Sequence, residues 1–312
     1  MEVRNMALTE KIGNVMLNLD YYSGEDLYCD GQVEDDLLNI VSNNDKSDYS
    51  KIIEQRRDWA ILYHLSEKRQ NIISWYPIEV YMNVLEIGAG CGAITGNLAD
   101  RAKKVTCIEL SKKRSTINAV RNKKYNNIEI FVGNFQEIQP NLNDEFDLVT
   151  LIGVFEYAEK YIDNKRPYHQ FLDIAKSLIR KGGRIIIAIE NRLGMKYWAG
   201  CKEDHVCKYY ESIEGYSKTE GVKTFGKTEL EEIINCVGFS EVKFYYPYPD
   251  YKFTELIYSD DYLPRIGDLV NNIRNFDNDR IITFDESKAF DSVIKNNLFP
   301  MYSNSFFVEL KK

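Results

Sequence analysis

From Val84 onward, short aliphatic runs alternate with stretches whose apolar residues recur every three or four positions. Strands buried on both faces give such runs, and amphipathic helices give such stretches. The alternation predicts strands at residues 83–87, 104–109, 128–132, 146–152 and 184–189. A helix is predicted before the last of these, because Tyr168, Phe171, Leu172, Ala175, Leu178 and Ile179 share one face and Lys181, Gly182 and Gly183 end it. A further helix at 227–237, with Gly238 as its cap, leads to a strand at 242–246, and a last strand is predicted at 305–310. The order implies an α/β fold built on a mostly parallel sheet.

Residues 1–80 lack this alternation. They open with Tyr21, Tyr22, Gly24 and Tyr28, continue through a short acidic helix at 34–41, and reach a longer helix at 49–75. Ile52, Ile53, Ala60, Tyr63, Ile72 and Ile73 give that helix its spacing, and Pro77 stops it. This part reads as an N-terminal helical cap and substrate lid. Two irregular segments, 191–224 and 247–304, are too long for ordinary connections, and such insertions carry binding function. The expected organisation is a cap at 1–80, a core at 81–246 plus 304–312, and a substrate-binding insertion at 247–303.

Composition narrows the function classes. The 312 residues hold 40 Lys plus Arg against 48 Asp plus Glu, a net charge of -8, which disfavours a nucleic-acid partner. The basic run Lys112, Lys113, Arg114, Arg121, Lys123 and Lys124 then reads as a solvated helix face. No apolar run approaches the ~18 residues of a membrane span, since Arg184 and Glu190 bracket the longest aliphatic stretch. The first twenty residues mix charges throughout and lack a signal-peptide core, so a cytoplasmic protein is expected. Six cysteines without a C-x-x-C pair read as reduced thiols. Cys201, His205 and Cys207 are too tightly spaced for a tetrahedral cage, and no metal is expected.

The densest chemical signal is Glu86-Ile87-Gly88-Ala89-Gly90-Cys91-Gly92, where a strand runs into a turn with glycine at alternate positions and then a helix. Positions without side chains let a ligand approach the backbone. Gly88, Gly90 and Ala93 also satisfy the dinucleotide pattern, so the turn alone leaves nicotinamide and adenosyl cofactors open. Glu109, followed by Leu110, ends the second strand 21 residues after Gly88 and can accept from ribose hydroxyls of either cofactor. Asn134 and Phe135 offer an amide and a ring suited to adenine. The fourth strand runs into Gly153-Val154-Phe155-Glu156-Tyr157.

Taken together, these residues resemble the class I S-adenosylmethionine-dependent methyltransferases. The resemblance spans about residues 82–246 and the last strand. It implies a Rossmann-like sheet of seven strands, the last antiparallel, with S-adenosylmethionine as cofactor. By motif position, Glu86, Gly88, Ala89, Gly90 and Gly92 would hold the methionine part, Glu109 and Leu110 the ribose, Asn134 and Phe135 the adenine, and Gly153 would lie beneath the sulfonium. Asn134 departs from the usual Asp, although its amide oxygen can still accept from an adenine amino group. The flanking segments, among them Glu190-Asn191-Arg192-Leu193-Gly194 and Glu203-Asp204-His205, resemble bacterial methyltransferases associated with glycosyltransferases of surface-polysaccharide pathways.

That narrower likeness implies O-methylation of a sugar hydroxyl on a glycan or glycosylated small molecule. A hydroxyl must shed a proton as it is methylated, so one general base is expected. His205, beside Asp204, is the first candidate, and Glu156 is a second catalytic or substrate contact. Asp204 and Glu156 are the pair to consider if a divalent cation assists. Tyrosines 245, 246, 248, 251, 258 and 262, with Tyr197 and Trp198, would form substrate platforms. Asp147, His64 and His169 read as structural. The alternatives are a small-molecule or peptide methyltransferase of a natural-product pathway, a non-catalytic binding module for the same cofactor, and an NAD-dependent oxidoreductase.

Overall fold

The structure, a computed structural model, describes residues 8–26, 29, 31–142, 145–272 and 279–312, so Tyr28 of the tyrosine-rich opening lies outside the described residues. Ten strands form among the described residues: β1 (Thr9–Ile12), β2 (Val15–Tyr21), β3 (Asn83–Ile87), β4 (Lys104–Glu109), β5 (Ile128–Gly133), β6 (Phe146–Ile152), β7 (Ile179–Glu190), β8 (Glu241–Tyr248), β9 (Leu256–Ser259) and β10 (Ser305–Lys311). The chain divides into two compact units, residues 1–150 with 178–180, and residues 151–177 with 181–312.

In the first unit the strand order is β1-β2-β5-β4-β3-β6. The β3–β4, β4–β5 and β2–β5 pairs are parallel, and β1–β2 is an antiparallel hairpin. The hairpin corrects the reading of residues 1–80 as purely helical. Val15, Leu17 and Leu19 are buried on one face of β2 while their neighbours are not, which is the two-residue period of a half-buried strand. The expected long helix is also broken. It stops at Arg57, whose left-handed φ of 52° ends Tyr49–Arg56, and restarts where the Asp58 side chain accepts from the Ile61 N–H. Asp147 is structural as expected: it accepts from the Asn83 N–H at 2.7 Å and pairs with Arg180.

The basic run is only in part the solvated face that its composition suggested: Lys112 and Lys113 are half-exposed and Lys123 and Lys124 exposed, but Arg114 and Arg121 are buried. Arg114 is buried against Glu34 at 2.7 Å, which clamps helix Gln32–Asn43, and buried Arg121 donates to the His64 carbonyl and lies over the Tyr49 ring. Long stems let both guanidinium groups bury their carbons and still meet partners.

In the second unit the order is β7-β10-β8-β9. β10 is antiparallel to both β7 and β8, as the sequence led one to expect for the last strand, and β9 adds a strand within the insertion. Helix Lys227–Val237 ends at Gly238 in the left-handed region (φ 77°), as its position indicated. Residues leaving β7 are fastened by side chains: Asn191 donates to the Met301 and Ser303 carbonyls, and Asn304 accepts from the Lys196 N–H and donates to the Pro249 carbonyl. Arg192 pairs with Glu229 at 2.6 Å. These bonds fix the segment that presents Lys196 and Tyr197.

Candidate functional site

The turn after β3 is built in the first unit. Gly88, Gly90 and Gly92 all have positive φ, at 72°, 52° and 74°, which only glycine adopts without strain. Their roles differ. The N–H groups of Gly88 and Ala89 both donate to the Ile108 carbonyl, so they lock the turn onto β4. A Cβ on Gly90 would meet nothing within 4 Å, which leaves the backbone open there. A Cβ on Gly92 would lie 2.4 Å from Asn118 Oδ1, so that glycine is required by packing.

Glu109 closes the turn from below. Its Oε2 accepts from the Gly90 N–H at 2.8 Å and its Oε1 from the Ser111 N–H at 3.0 Å. Each oxygen retains a second lone pair for a ligand hydroxyl. Burial raises its pKa, opposed by Arg114 and by these backbone donors. Leu110, next to it, is half-buried. Asn134 Oδ1 accepts from the Gln136 N–H at 2.9 Å and so caps helix Phe135–Ile138, with Phe135 buried. An open Gly90 backbone and a carboxylate with spare lone pairs suit the sugar of an adenosyl cofactor.

Glu86 sits behind the turn. Its Oε2 accepts from Thr95 Oγ1 at 2.6 Å and from the Cys107 thiol at 3.5 Å, and Asn118 Nδ2 donates to Thr95 in turn. Burial pushes its pKa up to about 7. An acid whose folded pKa exceeds its unfolded value loses stability as pH rises toward that folded pKa. Glu86→Gln keeps the acceptor oxygen but cannot ionise. Between pH 4.5 and pH 8 the variant is therefore expected to gain ~3 kcal/mol of stability relative to the parent, most of it before pH 7. Urea unfolding across that range checks it, and a pH-independent difference would refute it.

The second unit holds a buried ionic network. Glu156 (1% exposed) follows Gly153 by three residues, and Glu190 (0%) ends β7. The loop after β7 brings in Glu203, Asp204 and His205. His205 Nδ1 lies 2.8 Å from Glu203 Oε1, and its Nε2 lies 3.5 Å from Glu156 Oε1 and 3.8 Å from Glu190 Oε2. Glu203 also accepts from the N–H groups of His205 and Val206 and from the Tyr216 hydroxyl. Asp204 is taken by Lys196 at 2.8 Å, Lys252 at 2.6 Å and the Tyr197 hydroxyl, and Lys252 also reaches Glu190 Oε1 at 2.7 Å.

These contacts sort the candidates. Burial alone would lower the His205 pKa, but Glu190, Glu156 and Glu203 outweigh it and hold it well above the ordinary range. An imidazole that keeps its proton is a poor first base, so that role moves away from His205. Burial opposes ionisation of Asp204, yet Lys196 and Lys252 hold it well below the ordinary range. Asp204 is thus a counter-ion to two lysines, and its expected part as a base or metal ligand does not fit. Burial raises Glu156, whereas at Glu190 the Lys252 ammonium overcomes burial and lowers the pKa. Glu156 Oε2 is buried without a hydrogen-bond partner. Two neighbouring carboxyls pushed in opposite directions are the pattern of an acid–base pair.

From the sequence, Glu203 stands out with Asp204 as a carboxylate neighbour of His205, Glu190 and Lys196 fall in the loop segment without a role, and Lys252 carries no signal. Glu190 carried a usable signal, a charged residue at the carboxyl end of the aliphatic run 185–189 of β7. Of the expected platforms, Tyr197, Tyr246, Tyr248, Tyr251 and Tyr258 are buried packing residues, while Trp198 and Tyr262 are exposed. Tyr251 packs on Gly153, where an added Cβ would lie 2.9 Å from its hydroxyl. The six cysteines are free. No helix among the described residues is long and apolar enough to cross a membrane.

Residues 85–187 match the methyltransferase-domain family. The chain belongs to the methyltransferases, with the Rossmann-like fold of the S-adenosylmethionine-dependent class. It is 30% identical over 163 residues to an uncharacterized methyltransferase of Staphylococcus carnosus, covering 50% of this chain and 70% of that one. It is 29% identical over 125 residues to the ribosomal RNA small subunit methyltransferase A of Borreliella afzelii, covering 40% of this chain and 44% of that protein, so it spans under half of that relative's length. Among solved structures, an S-adenosylmethionine-dependent methyltransferase from Archaeoglobus fulgidus superposes with a TM-score of 0.49 at 14% identity, covering 82% of this chain and all of that one.

Proposed function

We propose that the chain methylates a hydroxyl of a sugar, on a glycan or a glycosylated small molecule. The donor, S-adenosylmethionine, supplies an activated methyl whose bond to sulfur breaks, its electron pair passing to sulfur, as the bond to the acceptor oxygen forms. Glu109 would receive the donor's ribose hydroxyls, and the open Gly90 backbone would admit its methionine part.

The observation that carries the acceptor assignment is Glu156 Oε2, a buried carboxylate oxygen with no hydrogen-bond partner. Such an atom is costly to leave unsatisfied, and an acceptor hydroxyl repays it by donating. The proton released on methylation then passes to that oxygen. Exposed Trp198 and Tyr262 supply apolar faces of the kind that stack on sugars.

The ribosomal RNA match favours a second reading, with a nucleic-acid acceptor. The net charge of -8 opposes it, because phosphate backbones are held by clustered cations. Transfer of labelled methyl from S-adenosylmethionine into a panel of oligosaccharides and structured RNAs separates the two. Label in saccharide alone is expected, and label in RNA alone would overturn the reading.

A further inference from the structure

We propose that Glu156, Glu190 and His205 bind one divalent cation through three protein ligands, leaving adjacent coordination positions for two neighbouring hydroxyls of the acceptor. The cation site stands on the donor set alone; its use in presenting a vicinal diol rests on the sugar-acceptor reading above.

The geometry points there in three ways. Among the described residues, one ligand atom from each of the three lies within 4.8 Å of the other two. Nε2 of His205 faces the two carboxylates at 3.5 and 3.8 Å, and a cation bound there takes the place of the proton they hold on it, which is released to solvent. Donors about 2.1 Å from a shared octahedral cation sit ~3 Å apart when adjacent and ~4.2 Å apart when opposite, so rotations of the two carboxylates close the site.

The second observation is the orphaned Glu156 Oε2 within this cluster. A buried carboxylate oxygen that finds no donor in the chain is satisfied when a ligand arrives. The third is the outer shell. Glu203 holds His205 Nδ1 at 2.8 Å and is itself fixed by two backbone N–H groups and the Tyr216 hydroxyl. A carboxylate behind the far nitrogen of an imidazole is how ligating histidines are oriented and made more basic. Lys252 binds the other oxygen of Glu190, which turns Oε2 toward His205.

The chemistry follows from the ligand types. Two carboxylates and one imidazole suit a first-row divalent cation such as Mn2+ better than the thiolate-rich sites of structural zinc. Three protein ligands leave about half of an octahedral shell open. A hydroxyl bound there loses its proton more readily; Glu156 would hold the cation through Oε1, which faces His205 Nε2, and leave the unpartnered Oε2 to take that proton. The cation thus favours acceptors that present two hydroxyls side by side over isolated alcohols.

The test is titration of Mn2+ into the full chain, with free Mn2+ read by electron paramagnetic resonance. One site per chain is expected, weakened at least tenfold by either His205→Ala or Glu190→Gln. Because those residues are buried, Glu203→Gln is the companion variant: it keeps the shape behind the imidazole and is expected to weaken Mn2+ about tenfold while the far-ultraviolet dichroism is unchanged. No site in the parent chain, or Mn2+ affinity equal in all three variants, would overturn the proposal. The readout needs neither donor nor acceptor. Mn2+ binding without methyl transfer to any saccharide would instead sink the sugar-acceptor reading and leave the cation site standing.

Discussion

Replacing Glu156 with Gln is expected to cut kcat for methyl transfer by ~10²- to 10⁴-fold, the range a positioned base contributes, while affinity for S-adenosylmethionine changes by less than about twofold. The amide fills the same volume in a fully buried position, so the ring cluster of its neighbour Phe155 with Tyr168 and Phe225 is left undisturbed. What disappears is the atom that receives the acceptor's proton, together with one negative charge facing His205 Nε2 at 3.5 Å. A loss in kcat larger than the rise in acceptor KM marks an interaction that strengthens in the transition state. Calorimetry with the donor alone supplies the control. Wild-type turnover in Glu156→Gln would remove the residue from the chemistry, and loss of donor binding would show that the substitution had disturbed the fold.

The parts of this arrangement that were legible in the sequence are those governed by local rules. The β3 turn announced itself because glycine alone tolerates its positive φ values, and β3 through β7 were readable as aliphatic runs since both faces of a parallel strand are covered. The β1–β2 hairpin escaped because β2 carries only three buried apolar positions, Val15, Leu17 and Leu19, interleaved with polar ones in a segment otherwise rich in charge. Arg114 and Arg121 were misjudged for a related reason. Composition cannot tell a basic surface from a basic clamp until Glu34, 80 residues away, is brought opposite. His205 was the candidate base from sequence, but its charge state depends on Glu156 and Glu190, which lie 49 and 15 residues earlier in the chain. The sequence sets His205 beside two carboxylates; in the fold Glu203 meets its ring, whereas Asp204 turns to the lysines.

Those lysines carry the largest expected stability effect. Lys252→Met is expected to destabilise the chain by ~3–5 kcal/mol, the cost of leaving a buried charge without its partner. Lys252 Nζ lies between Asp204 Oδ1 at 2.6 Å and Glu190 Oε1 at 2.7 Å, and all three side chains are almost fully shielded from water. Met preserves the aliphatic stem, so the loss measures charge rather than volume. Lys196→Met is expected to cost less. Asp204 then keeps Lys252, and the other carboxylate near Lys196, Asp250, is 3.9 Å away and also serves the turn that caps the N–H groups of Lys252 and Phe253. Adding Glu190→Gln to Lys252→Met removes the stranded charge, since Asp204 keeps Lys196, and is expected to restore part of the stability, a coupling that distant sites do not show. Urea unfolding of the four proteins decides it: a Lys252→Met effect below about 1 kcal/mol, or no recovery in the double variant, would mean that water reaches Glu190 and that the network is not the dry, charge-balanced enclosure on which the roles of Glu156 and His205 depend.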